Sequence, residues 1–309
     1  MFETKEIIEL SPVTAPVSKT VVSDTPAFYC HTGKEKYIET VDKLLGHIRR
    51  GDIYEINYCI EFFAENCLID PHEVFARLKA LTEAPFAQLY KTSDTWIICA
   101  SPERFIKKEG DRLITQPMKG TAPRGKNAEE DEELKNTLAN SLKEQTENVM
   151  AVDVARNDMS IVAKKGTVIT EKLFSVQAFK NVHQMISTVT CQLKENTGFA
   201  DIIDAAFPPA SMTGAPKIKA VELIRKYELS PRGIYSGCLG YMDEQGNFDL
   251  CVVIRSIIYD ERKSRVSFHV GSAITAGCKP EEEWNECLLK AAAMLQALNT
   301  STGNIRFIK

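Results

Sequence analysis

The chain has 309 residues, 44% of them hydrophobic and 26% charged, with a formal net charge of -4. This length suits two small domains or one large mixed one. The acidic balance excludes a general nucleic-acid or membrane-surface binder, because basic residues occur only as pairs such as Lys107-Lys108 and Lys164-Lys165. Nine scattered cysteines form no Cys-x-x-Cys pair, and several, such as Cys99, lie inside apolar runs. They read as reduced core residues of a cytoplasmic protein, not as a zinc or disulfide framework. The opening residues MFETKEIIEL lack the basic region and apolar core of a signal peptide, and no apolar run reaches membrane-spanning length.

In chain order, residues 1–30 read as a leading arm or strand and residues 31–309 as a single domain. Apolar spacing predicts a helix over 34–50, broken by Gly51-Asp52. A strand follows over 53–63 and a helix over 71–81, with Pro71 at its start. Strands are expected at 86–90, 96–100 and 104–107. One long helix is expected over 129–155, with Leu134, Leu138, Leu142, Val149 and Val152 as its stripe. Helices at 199–206 and 217–227 precede three antiparallel strands at 235–241, 248–259 and 265–274, with turns at 245–247 and 261–263. A final helix covers 280–298. Strands and helices intersperse without strict alternation and without a fixed repeat, which points to an α+β class with mixed α/β layers.

The closing helix carries the clearest chemical pattern. Glu283, Glu286 and Lys290 are spaced three and four apart, so they share a face away from the Trp284 stripe. Two carboxylates one turn apart suit a hard cation; read alone, they also suit a solvated face with an ion pair. Glu147 lies where the long helix becomes apolar all round, as at a buried end. Three Gly- and Pro-marked segments, at 116–121, 208–217 and 271–277, offer backbone N–H groups to an anion, although each alone is compatible with an ordinary turn. There is no Walker loop, no Gly-x-Gly-x-x-Gly, no Gly-x-Ser-x-Gly elbow and no histidine spacing for zinc.

Taken in order, the segments are similar to the chorismate-utilising enzymes. That family includes the synthases of anthranilate, aminodeoxychorismate, isochorismate and salicylate. The resemblance rests on Gly51-Asp52-Ile53-Tyr54-Glu55-Ile56-Asn57, Ser101-Pro102-Glu103-Arg104-Phe105, the 117–121 loop, Glu147 to Asp153 and Arg156-Asn157-Asp158. It continues through Val182 to Ser187, Thr213 to Lys217, Gly240-Tyr241, Val253-Ile254-Arg255 and Glu283-x-x-Glu286. It implies two packed antiparallel sheets with outer helices.

By this resemblance, Glu147 and Glu286 bind Mg2+ directly, Glu283 acts through water, and the ion holds the ring carboxylate of chorismate. Arg255 and Tyr241 grip the enolpyruvyl carboxylate. Gly120, Thr121, Thr213, Gly214, Gly271, Ser272 and Lys290 are further substrate contacts, and His183 lies over the ring. Glu103 protonates the departing C4 hydroxyl, which requires a raised pKa. Lys119 resembles the aminodeoxychorismate-forming branch. There a neutral lysine adds at C2 as the C4 hydroxyl leaves, and ammonia from a glutamine amidotransferase subunit then attacks C4 and expels the lysine from C2. The anthranilate- and isochorismate-forming branches usually carry Ala here and remain the alternatives, together with a non-catalytic chorismate-binding subunit.

The chain departs from the family pattern in three places. Glu55 stands where Gln or Lys is usual, and Gly271-Ser272-Ala273 replaces a glycine-rich run. The leading part of the usual long form, with its tryptophan-binding residues, is also lacking, so no feedback site is expected.

Overall fold

The computed structural model describes residues 27–180 and 182–308. Most of the expected leading arm therefore lies outside the described residues. The elements in order are β1 (Phe28–Cys30), α1 (Lys34–Arg49), β2 (Glu55–Ala64), α2 (Pro71–Thr82), β3 (Phe86–Thr92), β4 (Thr95–Ser101), β5 (Arg104–Glu109), β6 (Arg112–Thr115) and β7 (Met118–Pro123). Then come α3 (Ala128–Ala139), α4 (Leu142–Val162), β8 (Ile169–Ala178), β9 (Val182–Gln192), α5 (Phe199–Ala206), the short β10 (Gly214–Ala215) and α6 (Lys217–Tyr227). The chain closes with β11 (Cys238–Met242), β12 (Phe248–Val252), β13 (Ser256–Asp260), β14 (Arg265–Thr275), α7 (Pro280–Ala297) and β15 (Ile305–Phe307).

Two sheets result, as the α+β expectation requires. The first runs β15-β1-β2-β14-β13-β4-β3, with β10 added beside β2; the second runs β11-β12-β5-β6-β9-β7, with β8 on the other side of β9. The strand pairs are antiparallel except β1 with β15. The first sheet buries Phe62 and Phe268, stacked at 5.3 Å, under α1 and α7, where Tyr37 and Trp284 meet at 5.3 Å. The second packs Phe105, Leu113, Val189 and Phe248 against Met159 of α4 and Ile202 of α5. Ile97 and Cys99 of β4 meet Cys251 and Val253 in a small third cluster that joins the sheets.

The chain passes between the sheets side by side in two places, from β4 to β5 and from β12 to β13. The second passage corrects the expected continuous strand over 248–259. Arg255 adopts a left-handed backbone with φ 50°, which ends one strand and lets the next start in the other sheet. The expected helix over 129–155 is likewise two helices. Ser141 caps α4 by accepting the Glu144 N–H, and Asn140 turns its amide back to the Asn136 carbonyl. Leu142, counted in the apolar stripe, is 78% exposed as a result. The Ser-x-x-Glu spacing at 141–144 was the available signal.

Because Phe268 is wholly buried against Phe62 and Phe28, Phe268→Ala is expected to lower the unfolding free energy by about 3–5 kcal/mol. Chemical denaturation checks this, with Leu142→Ala as the exposed control that changes it by less than about 0.5 kcal/mol.

Candidate active site

A cavity of about 610 Å³ opens where the two sheets, α4 and α7 meet, a size suited to a small molecule. Its wall is assembled from distant segments, each aimed by a local backbone feature. Glu103 follows Pro102 in the first passage, buried, with its N–H bonded to the Ser101 hydroxyl. Arg255 lies in the second passage. The two passages are tied together, since Val252 N–H donates to the Glu103 carbonyl at 3.0 Å and Ala100 N–H to the Arg255 carbonyl at 3.2 Å.

Lys119 and Gly120 form a bulge in β7, where pairing with β9 slips between Met118 and Thr121. Such a bulge re-aims side chains. Gly120 has φ 94°, and a Cβ there would come within 3.1 Å of the Glu144 side chain. The bulge sends the Lys119 amine into the cavity, where Thr121 also faces.

The acids come from two helices. The break before α4 brings Lys143, Glu144 and Glu147 to the wall on one helical face, and α7 supplies Glu283, Glu286 and Lys290. Lys290 bonds the Gly271 carbonyl at 2.8 Å and Glu286 at 2.5 Å. Gly271 admits no side chain, since a Cβ would lie 2.5 Å from the Cys59 sulfur.

Burial raises the Glu103 carboxyl to about 7, with Lys119 opposing the shift in part. Burial likewise raises Glu147 to about 7, helped by Glu55 and Glu144. Glu283 is pushed up by burial and then by Glu286. Burial also acts to raise Glu286, but Lys290, Lys119 and Lys143 together outweigh it and the net shift is down.

Lys119 departs from the expected neutral amine. Burial alone lowers its pKa, yet Glu55, Glu147 and Glu103 together outweigh burial and raise it. Its Nζ lies 2.7 Å from Glu55 Oε1, so in this arrangement it is an ammonium.

The oxygen-only donors Glu147, Glu283 and Glu286 match the chemistry of a hard cation. Their side chains are engaged separately, Glu286 with Lys290 and Glu283 4.0 Å from Lys143. Among the described residues, no three His, Cys, Asp or Glu side chains stand together as a metal-holding group.

The structure brings Glu103, Lys119, Gly120, Thr121, Glu147, Arg255, Gly271, Glu283, Glu286 and Lys290 into one wall. Five other expected contacts lie outside it. His183 alternates on β9 with Val182 and Gln184, which do line the cavity, so its ring faces α3 and bonds Asp131 at 2.9 Å. Tyr241, on the edge strand β11, is 68% exposed. The aromatic beside Arg255 in the wall is instead Tyr235, stacked at 5.1 Å on His269.

The Ser272 hydroxyl bonds Tyr37 at 2.7 Å in the core. Thr213 is buried with its hydroxyl on the Pro209 and Ala210 carbonyls, and Gly214 pairs with Ile56 of β2. These two support β2 from outside the wall. Residue-type reasoning missed Tyr235, His269, Lys143 and Glu144. Only Lys143 and Glu144 carried a signal, one turn before Glu147.

With the fold and cavity in view, comparison with known proteins is decisive for the family. The model described as chorismate binding enzyme matches residues 3–296. The chain belongs to the chorismate-binding enzymes. It is 36% identical over 270 residues to an aminodeoxychorismate synthase of Streptomyces griseus, covering 87% of this chain and 37% of that protein. It is 32% identical over 268 residues to aminodeoxychorismate synthase component 1 of Bacillus subtilis (strain 168), covering 87% and 56% respectively. The crystal structure of anthranilate synthase component I from Streptococcus pneumoniae TIGR4 superposes with a TM-score of 0.79 at 28% identity, over 88% of this chain and 60% of that one. The chain thus spans about a third to somewhat over half the length of the curated relatives it matches. No helix among the described residues is long and apolar enough to cross a membrane.

A carboxyl raised in the folded state holds its proton more tightly there than in the unfolded chain. Its ionisation therefore costs stability as pH rises from about 4.5 through about 7. Glu103→Gln is expected to stabilise the protein at pH 8 by up to about 3 kcal/mol, with the gain vanishing toward about pH 4.5. Denaturation midpoints across that range measure it, and a pH-independent difference would contradict the assignment.

Proposed function

We propose that this chorismate-binding enzyme aminates chorismate at C4, giving 4-amino-4-deoxychorismate with the enolpyruvyl group retained. The ammonia would come from a glutamine amidotransferase partner. The observation that carries this reading is the Lys119 amine in the cavity wall, electrostatically coupled to Glu103. A nucleophile and an acid in one cavity suit a reaction in which one ring carbon is attacked while a hydroxyl leaves from another. The relatives named as aminodeoxychorismate synthases favour the same branch. The anthranilate-forming alternative rests on the fold likeness to anthranilate synthase component I, and Lys119 weighs against it.

In this reading Arg255 and Lys290 bind the substrate carboxylates, a guanidinium fork suiting a planar anion, with Tyr235 and Thr121 beside them in the wall. Glu103, protonated below about 7, gives its proton to the departing C4 hydroxyl. Lys119 forms a bond to C2, and ammonia then bonds to C4 and releases the lysine. Glu147, Glu283 and Glu286 would hold Mg2+, which neutralises and orients the ring carboxylate. The buried acids with raised carboxyls support that assignment, because a cation would relieve their cost. The nine free cysteines favour a reducing, cytoplasmic setting.

Incubation with chorismate, ammonium and Mg2+, followed by separation of products, is expected to yield aminodeoxychorismate. Anthranilate or isochorismate as the main product would refute the branch assignment. Lys119→Ala is expected to lower kcat by at least about a hundredfold, and unchanged turnover would remove Lys119 as nucleophile. Chelation should abolish the reaction, and metal-independent turnover would count against the glutamate assignment.

A further inference from the structure

The Lys119 amine has one hydrogen-bonded partner with no role in the chemistry described so far. Glu55 Oε1 lies 2.7 Å from Nζ, and both side chains are buried, 6% and 11% exposed. Glu55 is not part of the cavity wall. It meets the cavity through the Lys119 amine. Its backbone is held from two sides, paired with Ala215 of β10 and with Thr275 of β14. Gly214 packs so closely on this strand that a Cβ there would lie 2.1 Å from the Glu55 carbonyl oxygen. The Glu55 backbone is therefore fixed by the sheet, and its carboxylate is held by the Lys119 amine.

We propose that Glu55 is the proton partner of Lys119, holding the ammonium in the empty cavity and taking one proton from it when the amine acts. This rests on the reading of Lys119 as nucleophile. The other groups acting on the amine are Glu147 on α4 and Glu103 in the first passage between sheets; Lys119 in turn acts on Glu144 and Glu286. None of these has a hydrogen bond to Nζ among the described contacts, whereas Glu55 does. At the moment of attack the nitrogen must offer a lone pair, so it carries no charge. A Glu55 still ionised would then be a buried anion without its counter-charge, which is strongly unfavourable. Moving the proton 2.7 Å along the existing hydrogen bond neutralises both groups together and sends no charge through the dry interior.

The step balances. Ammonium and carboxylate become amine and carboxylic acid. The amine bonds to C2, the C4–O bond breaks, and the hydroxyl leaves as water with the proton of Glu103. Ammonia bonds to C4, the C2–N bond breaks, and the lysine departs as a neutral amine. That amine recovers its proton from Glu55, and the new C4 ammonium returns one to Glu103. The sum is chorismate plus ammonia giving aminodeoxychorismate plus water. Glu55 acts here through its hydrogen bond to Lys119, so it is a positioning residue.

The test uses the intact protein with chorismate, ammonium and Mg2+, and the wild-type product is identified first. A different product defeats the functional reading. The proton partnership is then judged by a second readout that needs no turnover, the rate of reductive methylation of Lys119 by formaldehyde and cyanoborohydride, followed by peptide mass spectrometry. Removing the carboxylate in Glu55→Gln should speed that labelling near pH 7.5 by at least about threefold, and equal rates would overturn the proposal.

In turnover, wild type should show the descending limb set by Glu103 near 7. Glu55→Gln should lose at least about tenfold in kcat near neutral pH, with KM for chorismate changed by less than about twofold. Its log kcat should also acquire an ascending limb with pH, because the amine must then discharge its proton to solvent. In a Lys119→Ala background the same change should have no further effect. An unaltered profile, or an equal loss in the Lys119→Ala background, would overturn the idea. Should the Gln variant not fold, Glu55→Asp makes the same comparison, since its shorter stem lengthens the contact; a wild-type profile there overturns it as well.

Discussion

The site depends on the chain crossing twice, side by side, between two sheets. At residues 102–103 and again at 253–255 the extended pairing stops, and the two passages are locked by backbone hydrogen bonds between Val252 and Glu103 and between Ala100 and Arg255. Within a strand, alternation would send every second side chain into a core. At the passages that rule lapses, so a carboxyl and a guanidinium turn toward the same space. The left-handed backbone at Arg255 costs about 1–2 kcal/mol. The small cluster of Ile97, Cys99, Cys251 and Val253 packs across the junction and holds it.

Around that junction the cavity concentrates charge that an apolar core would reject. Glu103, Glu147 and Glu283 are buried with raised carboxyls, while Lys119, Lys290 and Arg255 supply the opposite sign. Removing one member of such a set leaves its partner desolvated and unpaired. The set therefore behaves as a unit, and the protonation of any one group depends on its neighbours. The small net charge of the chain gives no hint of this, because the charges are sorted by folding and not by composition. The cations of the cavity lie on β7, α7 and the second passage, gathered from segments far apart in sequence.

Much of the architecture is legible in local pattern. The spacing that predicts a helix over 34–50 gives α1 at Lys34–Arg49, and the closing helix starts at Pro280 as its sequence suggests. The turn at 261–263 joins β13 to β14. The failures are instructive. A helix continuous from 129 to 155 satisfies periodicity, but a capping serine at 141 gives a competing local hydrogen bond and the chain breaks there. A strand continuous from 248 to 259 satisfies β-propensity. No local rule signals that Arg255 will bend it into a second sheet.

Sequence alone determined the helices and strands whose period is strong, the apolar set that fills the two cores, and the order of motifs that marks the family. It also supplied most of the charged members of the cavity wall, because a shared motif order carries their identity. Tertiary structure alone decided which side chains face the cavity. Val182 and Gln184 do and His183 does not, and Tyr235 does while Tyr241 stands in solvent. Only the folded arrangement also set the charge on Lys119, which depends on Glu55, a residue 64 positions away in the chain and 2.7 Å away in space. The reason is that periodicity and propensity are properties of neighbours along the chain, whereas facing and ionisation are fixed by neighbours through space.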